Sequence, residues 1–69
     1  MNMLEYMKII LKKVSFDPQL FEKELRKAID GLLPSDLMEL KNWCFQEFRE
    51  SFGKILVICF GEFHPAGAR

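Results

Sequence analysis

Proline cannot sit inside an α-helix without breaking it, and it pushes the residue before it out of helical conformation. In the stretch Ser15-Phe16-Asp17-Pro18 that rule ends one helix and starts the next. Asp17 is the natural N-cap and Pro18 the first helical residue, with Phe16 just before the cap and Phe21 at the fourth helical position. That spacing predicts a hydrophobic staple between the two phenylalanines. A second interruption, Gly31-Leu32-Leu33-Pro34, follows. The chain is therefore cut into three segments, each of which has helical periodicity.

The first helix is expected over residues 3–14. Met3, Leu4, Tyr6, Met7, Ile10, Leu11 and Val14 share one side of a 3.6-residue wheel, with Glu5, Lys8, Lys12 and Lys13 opposite and Ile9 among the polar residues. Asn2 and Glu5 are spaced as a capping box. The second helix is expected over residues 18–30, with a narrower stripe of Phe21, Leu25, Ala28, Ile29 and, if the helix reaches it, Leu32, and a Glu22–Arg26 pair at i,i+4. Gly31 is placed to end it in a left-handed cap, and Ser35 or Asp36 to cap the next helix. The third and longest helix is expected over residues 35–52. Leu37, Leu40, Cys44 and Phe48 form its central apolar line, flanked by Trp43 on one side and by Met38, Phe45 and Phe52 on the other. Short connections favour antiparallel neighbours. The expected fold is all-α, a small three-helix bundle running up, down and up, with a short apolar C-terminal extension.

Gly53 breaks the third pattern, and Ile55–Phe60 is a continuous apolar run rich in β-branched residues. Its composition favours a strand or irregular segment over a short buried helical extension. Residues 1–60 are read as a single helical domain, and residues 61–69, with Pro65 and two glycines, as a flexible tail.

Size decides how much of this apolar material the chain can cover. With 69 residues, 49% of them hydrophobic and 13% aromatic, there is ample material for a core. A domain this small nonetheless buries only about 60% of the surface its unfolded chain exposes. The apolar arc of the third helix spans roughly 200°, wider than the ~100° that one buried face requires. Aromatic anchors in excess of what a core can take are what protein–protein interfaces use. The leading expectation is a small interaction module, a homodimer or a partner-binding subunit. Its candidate interaction residues are Trp43, Phe45, Phe52, Ile55, Val57 and Phe60.

Other classes have less behind them. Ten basic and ten acidic residues leave no net charge, against the basic excess usual in nucleic-acid binders. A helix-turn-helix regulator is the alternative, with Asn42, Gln46 and Arg49 as base readers. Against it, Asp36, Glu39, Glu47 and Glu50 outnumber Lys41 and Arg49 on that helix. The lysine-backed first helix would allow contact with a membrane surface, although a core-facing helix with a solvated back is the favoured reading of it. Cys44, Cys59 and His64 match no zinc spacing, and Cys44 at the centre of an apolar line reads as a core thiol. No catalytic constellation, metal or cofactor site is expected. The absence of an apolar leader and the two cysteines suggest a cytoplasmic protein with reduced thiols.

Overall fold

A computed structural model describes residues 1–61, which form three α-helices: α1 Met3–Lys13, α2 Pro18–Gly31 and α3 Pro34–Gly61. No strand occurs among the described residues. The all-α helical bundle read from the periodicity is what the chain forms. The expected tail, including Phe63 and His64, lies outside the described residues from position 62 onward.

The helix starts follow local chemistry. Asn2 caps α1, its side-chain oxygen accepting from the Glu5 N–H at 2.8 Å. Asp17 caps α2, one carboxylate oxygen accepting from the N–H groups of Gln19 (2.9 Å) and Leu20 (3.3 Å), with Pro18 in the first turn. Three details differ from expectation. The staple does not close: Phe16 is 78% exposed while Phe21 is fully buried, because the core claims the Phe21 ring. Gly31 takes no left-handed conformation; Leu32 ends α2 in an extended conformation, its N–H donating to the Ala28 carbonyl at 2.9 Å. α3 begins at Pro34, before Ser35 or Asp36 could cap it. The Leu33 carbonyl accepts the first helical bond from the Leu37 N–H at 2.9 Å. Proline suits this start, since its ring presets a helical φ and its missing N–H would have had no partner in the helix.

The larger departure lies beyond Gly53. The Ile55–Phe60 run is not a strand or irregular segment but helix, continuous with α3 through a sharp kink. Phe52 is the one residue with non-helical angles, φ −131° and ψ 27°. A straight helix of 28 residues would span about 42 Å at ~1.5 Å per residue. The described residues together measure 35 Å in their longest direction. The rings of Phe45 and Phe60, about 22 Å apart along a straight helix at that rise, have centroids 6.4 Å apart. α3 is therefore two limbs, residues 34–51 and 53–61, turned back toward each other. Ser51 and Gly53 flank the turn. Ser/Gly pairs are a common cause of such kinks.

The fold-back has an apolar reason. On the second limb, Leu56, Cys59 and Phe60 are buried at spacings of three and four, continuing the pattern set by Phe52. The limb lies along α2: Phe52 stacks on Phe21 with centroids 4.4 Å apart, and Cys59 borders a shallow cleft with Arg26, Ile29 and Asp30. One core results. It joins Leu4, Met7 and Leu11 of α1, Phe21, Leu25 and Ala28 of α2, and Leu37, Leu40, Cys44, Phe48, Phe52, Leu56, Cys59 and Phe60 of α3. No polar or charged side chain is buried among the described residues.

Two outcomes test this account. Asp17→Ala should lower stability in urea titration by about 1 kcal/mol, the usual value of a lost N-cap. A Cβ added at Gly53 meets nothing within 4 Å and the backbone there is not left-handed, so the residue carries only glycine's entropic cost. Gly53→Ala should therefore raise stability by roughly 0.5–1 kcal/mol, while a loss would show that the kink needs glycine.

Candidate interaction surface

The fold-back decides which aromatic residues remain outside. Phe52 and Phe60, both named from the sequence as interaction residues, are buried at 8% and 5% exposure. Phe52 is held by Phe21 and Phe48, and Phe60 by Phe45. Trp43 is half-buried on the flank that faces α1. Its ring meets Phe48 edge-on at 5.5 Å, and the Lys8 ammonium lies 5.8 Å from its centroid. The same ammonium is 3.5 Å from Glu5 and 3.6 Å from Glu39, so Lys8 ties α1 to α3 rather than standing free in solvent. Both carboxylates are exposed, so each ion pair is worth at most about 1 kcal/mol; the cation–π contact adds a similar amount.

Phe45, Val57 and, from outside the expected set, Ile58 come together elsewhere. They line an open depression of about 390 Å³ in the bend of α3, with Arg49, Gly53 and Lys54 completing it. Its geometry follows from the kink. Phe45, Arg49, Gly53 and Val57 are spaced by four across the two limbs, and Gly53 contributes no side chain to that row. Space stands open above its backbone. Val57 and Ile58 are 61% and 53% exposed, while Phe45 is half-buried. Ile55 is half-buried and turned to another shallow hollow, beside Pro18. Of the six residues expected to act together, Phe45 and Val57 share the depression; Trp43 and Ile55 lie apart, and Phe52 and Phe60 are core.

Both charged residues that line this depression are cations, with Glu47 and Glu50 on the adjoining surface. Arg49 and Lys54 are exposed, and neither makes an ion pair within the described residues. Three cations elsewhere are matched, Arg26 with Glu22 at 3.0 Å, Lys27 with Glu24 at 3.5 Å and Lys8 as above, while Lys12, Lys13, Lys23 and Lys41 are exposed and make no ion pair within the described residues. Asn42 and Gln46, the candidate base readers, are exposed near Arg49, but Glu47 and Glu50 share that surface. On α1, Leu4, Met7 and Leu11 are spent on the core, leaving Met3, Tyr6 and Ile9 as its exposed apolar flank.

The thiols are both interior. Cys44 is fully buried, and burial pushes its pKa from 9.0 up to about 12, with the Lys8 charge pulling weakly the other way. Cys59 is 2% exposed. Among the described residues no group of three His, Cys, Asp or Glu is placed to hold a metal, and no helix is long and apolar enough to cross a membrane. No protein-family model matches the chain, and no similar curated protein or solved structure is found at a significant level.

The Cys44 shift has a signed consequence. A thiol whose folded pKa exceeds its unfolded value binds more protons when folded, so its stabilisation is complete below pH 9 and declines between pH 9 and about 12. Urea midpoints over that window should fall more steeply for the wild type than for Cys44→Ala. At neutral pH Cys44 should resist thiol reagents until denaturant is added.

Proposed function

We propose that the chain is a small protein–protein interaction module that receives a partner in the bend of α3. The carrying observation is the depression itself, where Phe45, Val57 and Ile58 meet above a glycine and no described polar group closes them off. Single exposed apolar residues are ordinary on a protein surface, but contiguous ones in a concavity are where partners anchor. Among the described residues the buried titratable groups are the two thiols, and burial holds Cys44 protonated.

A photo-crosslinking amino acid (p-benzoylphenylalanine) in place of Val57, in cells that make the protein, tests this reading. Lys12, on the solvated back of α1, is the control position. A discrete adduct heavier than the 8.1 kDa chain from position 57 and none from position 12 is the expected result. An adduct of twice the chain's mass would identify the partner as a second copy. Equal labelling from both positions, or none from either, overturns the proposal.

A further inference from the structure

We infer that the occupant of the depression is an amphipathic helix with acidic flanks, contributed by a different protein. The inference rests on the docking reading above and adds the chemistry of the partner. Two observations choose it. The first is charge: both charged residues lining the depression, Arg49 and Lys54, are cations, in a chain whose total charge is zero. Glu50 lies between them in sequence yet forms no ion pair with either within the described residues. A partner that covers the apolar floor also draws these two cations out of water, and carboxylates placed one turn to either side of its apolar stripe would compensate them.

The second observation is shape. The surface is a shallow depression, open above Gly53 and bordered by residues of both limbs of α3. A helix is convex and carries large side chains at i, i+3 and i+4, which suits such a bend. Two cations add only about fivefold each to binding of an anionic bilayer, at ~1 kcal/mol per residue. A second copy docked about a two-fold axis through this bend would set Arg49 and Lys54 against their own counterparts, which is unfavourable.

The full 69-residue chain can be tested with a displayed library of helical peptides about four turns long. Expected are selected sequences with an i, i+3, i+4, i+7 apolar stripe and a net negative charge. Gly53→Leu, which fills the open space, and Val57→Asp should each weaken their binding by at least about tenfold. Arg49→Glu combined with Lys54→Glu should shift preference toward basic peptides, with circular dichroism unchanged. Selected peptides that respond to Gly53→Leu or Val57→Asp but show no acidic bias overturn the charge inference and leave the docking site standing. Peptides indifferent to both apolar-site variants overturn the docking site as well. Sedimentation with phosphatidylcholine vesicles containing one-third phosphatidylserine, dependent on Arg49 and Lys54 and without peptide selection, would assign the cations to lipid instead.

Discussion

The ring of Phe21 holds this molecule's shape. It meets Phe48 edge-on at 5.0 Å and stacks on Phe52 at 4.4 Å, while Phe48 and Phe52 lie 6.0 Å apart. One side chain of α2 thus touches the last turn of one limb of α3 and the residue at which the helix bends. Aromatic pairs in these arrangements add about 0.5–1.5 kcal/mol each beyond the area they bury. The bend itself involves no left-handed residue; it places Phe52 where the stack can form. Without the stack, the second limb would have to project into water with Leu56, Cys59 and Phe60 uncovered. Burying a side chain such as leucine or phenylalanine is worth about 1.5–3 kcal/mol, a large share of what a domain of this size has to spare.

Most of the fold was legible because it is written in local chemistry. Asp17-Pro18 starts a helix by steric exclusion and capping whatever the tertiary structure, and Leu4, Met7 and Leu11 are buried as the wheel requires. The departures occur where a local preference met a tertiary demand. Phe16 and Phe21 are spaced for a staple, but the Phe21 ring gains more among Phe48 and Phe52 than against a surface neighbour. Gly31 could cap from the left-handed region, yet with Pro34 setting a helical start three residues on, an extended Leu32 makes the connection without it.

The second limb was the harder case, and its misreading as strand or irregular chain explains the partial legibility of the surface. Ile55–Phe60 is apolar at every position, so periodicity within the run is silent. The period becomes visible only when the window opens backward to Phe52: positions 52, 56, 59 and 60 fall on one helical face. That face takes Phe52 and Phe60 into the core and turns Val57 and Ile58 outward. Val57 and Ile58 were in reach of sequence reasoning as part of an apolar run; Gly53 and Lys54 were not, because their proximity to Phe45 depends on the kink. The wheel of the first limb alone placed Trp43 and Phe45 at opposite margins. Which margin stays open depends on α1, whose Lys8 covers Trp43.

The shortage of cover and the concave surface therefore have one origin. A chain this small has too few elements to enclose an apolar helix by surrounding it, so α3 covers itself: the second limb turns back and lends Leu56, Cys59 and Phe60 to the core. A helix bent to bury one face must leave the other face concave or spread, and here the side chain missing at Gly53 deepens the bend instead of filling it. A Cβ at that position would meet nothing within 4 Å, so no close packing against the backbone there requires glycine. The apolar residues around it stand beside two cations, Arg49 and Lys54, that form no ion pair within the described residues. What distinguishes the bend from the exposed Phe16 or Leu33 is that several such residues converge there, and convergence gives a partner's side chain something to fit into.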